Sequence, residues 1–113
     1  MEIRGFSTFD LCNDLGICGC GLPSEAYERV YDMLVRARNR ESLIVVSDDH
    51  RDCGFQYFMA YVLDDRGFID HGFSIENAWI TPKGKAAIEF IELIRSHDYE
   101  YVEDADGNPF FWR

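Results

Sequence analysis

The stretch GFIDHGFSIENAWITPKG, residues 67–84, constrains the fold most, because its hydrophobic spacing changes from helical to extended and back. Residues 68–70 and 74–81 predict two short strands around the sequence DHGF. The next stretch, TPKGKAAIEFIELIRSH, predicts a helix that Thr81 caps and in which Pro82 takes the first position. Its core stripe is predicted to be Ala87, Phe90, Ile91 and Ile94.

Three further helices are indicated upstream. Residues 7–16 predict a short helix that begins at Ser7 and ends at Gly16. PSEAYERVYDMLVRARNRE predicts a longer one, with Ser24 as its cap and arginines at its end. Residues 55–63 are apolar almost all round, so this helix is either largely buried or faces a partner. Residues 43–46 fit a strand or a buried helical turn equally well.

The chain of 113 residues predicts one domain. We divide it into a short helix with a Gly/Cys-rich turn (1–23), a core (24–97) and an acidic, aromatic C-terminal extension (98–113). The fold class predicted is α+β, a mainly helical single domain with a C-terminal β-hairpin wing. The first residues, MEIRGFSTFD, lack the features of a signal peptide, which predicts a cytoplasmic protein with mostly reduced cysteines.

Charge restricts the partners. Eleven Lys and Arg stand against 21 Asp and Glu, which gives a net charge of -10. Because nucleic acids and anionic membranes attract basic proteins, this balance opposes both as partners. It favours a protein partner with a basic surface.

Residues 55–94 resemble the second half of a winged-helix domain. In that family a helix leads into a hairpin, and an LT-x-x-G segment ends the last strand and opens the next helix, as WITPKG does here. The resemblance implies a winged-helix fold, which serves either DNA binding or protein binding. A second resemblance, carried by FDLCNDLGICGCGLP and HGFSIENAWITPKG, is to small uncharacterised proteins encoded by bacteriophages and prophages. It implies a bacterial host cell and no known reaction.

DNA binding by a transcriptional regulator is the alternative function that the winged-helix resemblance implies. The predicted reading helix, CGFQYFMAYVLDD, has no Lys or Arg, although base edges and phosphates are contacted mainly by such residues. The wing carries Asp70 and Glu76 and no basic residue. The arginines left to contact a DNA backbone are Arg36, Arg38 and Arg40.

Four cysteines could bind zinc and stabilise the fold, which is a second alternative. They are Cys12, Cys18, Cys20 and Cys53, and His50 could assist them. Their spacing differs from the paired C-x2–4-C knuckles of common structural sites, so buried thiols and glycine turns are the simpler interpretation. No nucleophile motif, phosphate loop or complete calcium loop is present, and the sequence predicts a non-enzyme without a cofactor.

Aromatic residues are more numerous than a small core can hide, and those left over are typical of protein-binding surfaces. We therefore predict a small acidic protein-binding module, one form of which would inhibit a nucleic-acid-handling protein of the host. A homodimer is also possible through the C-terminal aromatics or the helix at 55–63. The predicted partner-binding residues are Tyr57, Tyr61, Phe73, Glu100, Glu103, Asp104, Asp106, Phe111 and Trp112.

Overall fold

A computed structural model describes residues 2–16, 24–46, 48–97, 102–103 and 109–110. Its α-helices are α1 (Thr8–Asp14), α2 (Ser24–Arg38), α3 (His50–Asp65) and α4 (Pro82–Ser96). Three two-stranded antiparallel sheets accompany them: β1 (Glu2–Ile3) with β2 (Phe6–Ser7), β3 (Ile69–Asp70) with β4 (Trp79–Ile80), and β5 (Val102–Glu103) with β6 (Pro109–Phe110). The predicted α+β class is confirmed.

The hairpin of β3 and β4, with the loop between them, is called the wing below. The prediction of a C-terminal wing is wrong, because α4 follows β4 directly. Thr81 is the reason: its hydroxyl accepts a hydrogen bond from the Gly84 N–H at 3.0 Å and so starts a new helix. The predicted strand over residues 74–81 is also shorter than expected. A 3₁₀ turn, Ile75–Asn77, occupies its first half, since the Ser74 side chain accepts from the Glu76 N–H.

Local signals explain the bounds of the helices that flank the wing. Asp49 caps α3 by accepting a hydrogen bond from the Arg51 N–H at 2.9 Å. At its other end the N–H of Phe68 bonds to the Leu63 carbonyl, and Gly67 adopts a φ of 83°. This is a Schellman ending, in which glycine takes the left-handed position at least cost.

The hairpin of β1 and β2 is absent from our sequence-based prediction. Its two turn residues, Arg4 and Gly5, have φ values of 53° and 83°, so the turn requires positive φ twice. Arginine is unusual in that conformation, and the pair therefore gives only a weak turn signal in the sequence.

Helix α4 is the centre of the core and packs against α1, α2, β1 and β4. The predicted stripe is confirmed, since Ala87, Phe90, Ile91 and Ile94 are all fully buried. The Lys83 ammonium ties α4 to α1 through the Asp14 carboxylate at 2.5 Å. No helix within the described ranges has both the length and the apolar composition needed to span a bilayer.

Candidate protein-binding surfaces

The loop that joins β3 and β4 lies alongside α3. At one end, Nδ1 of His71 is 2.9 Å from a carboxylate oxygen of Asp64. At the other end, the Tyr57 hydroxyl donates a hydrogen bond to the Glu76 carboxylate. Asp64 and Tyr57 are about 10 Å apart along the helix axis, since each residue adds about 1.5 Å. Tyr61 lies between these two residues, and therefore at the same level along the axis of α3 as the loop.

Phe73, in this loop, has a relative exposure of 109%, the highest among the large hydrophobic side chains that the structure describes. Asp70 is exposed on one side of it in the chain and Glu76 is half-buried on the other. The sequence places no lysine or arginine between β3 and β4. An apolar ring fully in water beside carboxylates makes a candidate anchor for a partner that is apolar at one point and basic around it.

Tyr57 differs from the other two described members of the predicted binding set. It is half-buried, and its hydroxyl is held by Glu76. That hydrogen bond raises the pKa of Tyr57, because losing the phenolic proton would place two negative charges side by side. The structure therefore assigns Tyr57 the task of holding the loop against α3, while Tyr61 and Phe73 face solvent.

Helix α3 turns one side to the core and the other to solvent. Gln56, Ala60 and Leu63 are buried. The side chains that point outward form what we call the exposed face of α3, which consists of Arg51, Gly54, Phe55, Phe58, Tyr61 and Asp65. Its three aromatic rings are 47%, 66% and 55% exposed in chain order.

Beside this face a groove of about 460 Å³ runs between α3 and α2. Its apolar walls include Phe55, Phe58 and Val62 of α3 and Ala26 and Val30 of α2. The prediction for residues 55–63 left burial and partner contact open, and the structure shows that one side of the helix is buried and the other is exposed. Phe55 and Phe58 were missing from the predicted binding set because a helix that is apolar all round gives no signal for its outer side.

A polar network joins α2, α3 and the segment before α3. Asp52 accepts hydrogen bonds from Arg29 at 2.5 Å and from Gln56 at 2.8 Å. The Gln56 amide in turn bonds both the N–H and the carbonyl of Val45, at 2.7 and 3.1 Å. These bonds explain why residues 43–46 are neither strand nor helix: a side chain satisfies the backbone groups that a neighbouring strand would otherwise pair.

The pKa of Asp52 lies below its ordinary value of 3.8, chiefly because Arg29 and then Gln56 donate hydrogen bonds to the ionised carboxylate. The stabilisation is therefore present above pH 3.8 and is lost as the pH falls through the folded-state pKa. We expect Asp52→Asn to lower the urea midpoint at neutral pH, and the gap from the unsubstituted protein to narrow as the pH drops below 3.8. Asp48→Asn, which changes an exposed carboxylate outside the network, is the control. A gap that stays constant with pH would contradict this assignment.

The three arginines proposed for DNA contact have different neighbours. Arg36 is paired with Asp32 at 3.0 Å, four residues earlier on α2. The Arg40 guanidinium lies over the Trp79 ring at 5.5 Å. Arg38 is exposed and lines a depression that also contains Glu92. Two of the three charges are thus engaged within the chain, which weakens the geometric basis for a continuous phosphate-binding strip.

The cysteine hypothesis is covered only in part by the structure. Cys12 is buried on α1, as the sequence predicted, and Cys53 is half-buried on α3. Cys18 and Cys20 lie outside the described residues. A zinc site made by these four thiols therefore stays a prediction.

Another cluster of potential metal ligands lies where the wing meets α3. Within the described ranges, the one group of three or more metal-ligating side chains that converges consists of Asp64, Asp70 and His71. Hydrogen bonds account for its geometry, since the backbone N–H of His71 also donates to the Asp70 carboxylate at 2.8 Å. We assign this cluster the structural task of fixing the wing loop to the end of α3.

The six predicted C-terminal binding residues have no side chain among those that the structure describes. Glu103 belongs to β5, where only the backbone is described. Outside the described residues lie Glu100, Asp104, Asp106, Phe111 and Trp112. Their participation remains a prediction.

Comparisons with protein-family models, with curated proteins and with solved structures return no match for this chain. The candidate surfaces therefore depend on the geometry of the chain itself.

Proposed function

We propose that this protein is a small acidic protein-binding module without enzymatic activity, built on a winged-helix-like fold and encoded by a phage or prophage. The observation that carries the proposal is Phe73, a phenylalanine held fully in water on a loop that two contacts fix against α3. An exposed aromatic side chain on a held loop loses little conformational entropy on binding, which suits it to anchor a partner.

Charge indicates the kind of partner. The wing combines Phe73 with the carboxylates of Asp70 and Glu76, and the whole chain has a net charge of -10. A basic protein surface with an apolar pocket would complement both features. Proteins that handle nucleic acids in the host cytoplasm have such surfaces, and occupation of their phosphate-binding groups would inhibit them. The C-terminal carboxylates would add to the same steering field.

The test compares capture of bacterial lysate proteins by the immobilised unsubstituted chain, by Phe73→Ala and by Phe9→Ala. Phe9 is half-exposed on α1 and serves as a matched control. We expect proteins that the unsubstituted chain and Phe9→Ala retain to bind Phe73→Ala at least about tenfold less, as for a hot-spot residue. Retention that is equal for all three baits would refute the wing as the binding element.

Two additions to the same experiment test the chemistry of the partner. Raising the salt concentration should lower retention, because the proposed steering is electrostatic. Free duplex DNA should displace the captured proteins if they bind through phosphate-binding surfaces. Direct binding of that DNA to the immobilised chain, lost on replacing Arg36, Arg38 and Arg40, would support the regulator alternative instead.

A further inference from the structure

The exposed face of α3 has a regular spacing. Arg51, Gly54, Phe58, Tyr61 and Asp65 follow one another at intervals of three, four, three and four residues. This spacing keeps side chains along one side of a helix and is typical of a stripe that packs against a second helix. The stripe is about 21 Å long, since it covers fourteen steps of about 1.5 Å.

The exposed face of α3, taken together with the half-buried Val62 at its edge, is also symmetric about Phe58. Counting outward from that residue, Phe55 corresponds to Tyr61, and Gly54 corresponds to Val62. At the two ends, Arg51 corresponds to Asp65. Each pair combines groups that fit each other: two aromatic rings, a small residue with a branched one, and opposite charges. A face of this kind is complementary to itself under a two-fold rotation.

We propose that the exposed face of α3 binds the same face of a second copy of this chain, with the two α3 helices antiparallel and Phe58 at the two-fold axis. Arg51 then faces Asp65 of the partner subunit, and Phe55 faces the partner's Tyr61. A parallel pairing would place Arg51 opposite the partner's Arg51 and Asp65 opposite the partner's Asp65. Like charges repel, so charge selects the antiparallel arrangement.

The two end charges are available for such contacts. Neither Arg51 nor Asp65 has a side-chain ion pair within the part of the chain that the structure describes, and both are exposed. Other charges at the edge of α3 are engaged: Asp52 with Arg29, and Asp64 with His71.

Gly54 gives independent support. Glycine in the interior of a helix costs about 0.5–1 kcal/mol relative to alanine. A Cβ at Gly54 would have no described atom within 4 Å, so packing against the described part of the chain does not call for glycine here. Opposite the partner's Val62 the missing side chain would allow the two helix backbones to approach closely. The groove along the Phe55 edge gives the partner's Tyr61 space beside it.

The test is the association of the unsubstituted chain by sedimentation equilibrium over about a hundredfold range of concentration, since mass action drives dimer formation. Each copy carries a net charge of -10, so physiological ionic strength is used to screen repulsion beyond about 8 Å. We expect a monomer–dimer equilibrium. Phe58→Asp should weaken it at least about thirtyfold, because it places two carboxylates at the centre of the interface. Phe9→Asp on α1 should leave it unchanged.

A charge exchange tests the antiparallel register even if Phe58→Asp disturbs folding. Arg51→Asp and Asp65→Arg should each weaken association about three- to tenfold, since each change places two like-charge contacts in the dimer. The double variant restores opposite charges and should recover most of the affinity. A monomer at every concentration, assembly beyond the dimer, or a double variant weaker than both single variants would overturn the proposal. The result does not depend on Phe73 and is separable from the proposed function.

Discussion

Gly84→Ala is expected to destabilise the fold by at least about 2 kcal/mol, because the added methyl group has no space. A Cβ at this position would lie 2.0 Å from the backbone oxygen of Phe68, and 2.5 and 2.9 Å from carbons of Ile80. A backbone oxygen cannot rotate away as the end of a side chain can. The first turn of α4 would have to move off the base of the wing.

That movement would also break the bonds that close the wing. The one hydroxyl hydrogen of Thr81 is shared between the carbonyls of Gly67 and Phe68, at 2.6 and 2.9 Å, while the hydroxyl oxygen caps α4 by accepting from the Gly84 N–H. One methyl group therefore acts on the helix cap and on the wing at once. Loss of an N-cap alone costs about 1 kcal/mol.

Gly54→Ala is the matched control for Gly84→Ala. It makes the same chemical change within a helix where the Cβ would have no described atom within 4 Å. It should raise the free energy of unfolding by about 0.5–1 kcal/mol through helix propensity alone. Urea denaturation of both variants at low protein concentration, where association is negligible, measures the contrast. Equal midpoints for the two variants would show that Gly84 is not sterically confined.

The close approach at Gly84 also shows which parts of the fold the sequence could predict. The helix start at Thr81 and Pro82 was predictable, because a cap and an N-terminal proline are signals within a few residues. The close approach of Gly84 to Phe68 was not predictable, because it depends on how the hairpin folds back. In the sequence Gly84 stands out only as part of the WITPKG segment that resembles winged helices, and the structure supplies a physical reason for a glycine at this place.

The candidate surfaces were predictable only in part for a related reason. Phe73 could be singled out because it lies in a short polar loop, where few side chains can cover it. The sequence could not indicate which side of α3 is exposed, since Phe55, Phe58 and Ala60 are all apolar. Only packing makes the first two exposed and the third buried. The contact between Tyr57 and Glu76 joins residues nineteen positions apart, and no local sequence pattern predicts it.

Phe68→Ala and Phe73→Ala are expected to have very different effects on stability, although both remove a phenyl ring from or beside the wing. The Phe68 ring is fully buried just before β3, and the Lys83 ammonium lies 4.9 Å from its centroid. Its removal should cost about 3–5 kcal/mol through lost burial and the cavity left behind. The Phe73 ring is fully exposed, so its removal should change the free energy of unfolding by less than about 0.5 kcal/mol.

Urea denaturation of the two variants beside the unsubstituted chain measures this contrast in stability. The lysate capture assay then measures whether Phe73→Ala loses binding. A Phe73→Ala variant that unfolds like the unsubstituted chain but loses its captured proteins separates binding from folding, because the ring then stabilises only the complex. A Phe73→Ala variant destabilised as strongly as Phe68→Ala would place the ring in the core and contradict its assignment as an anchor. The comparison thus tests whether this wing uses one phenylalanine to hold the fold and the other to bind a partner.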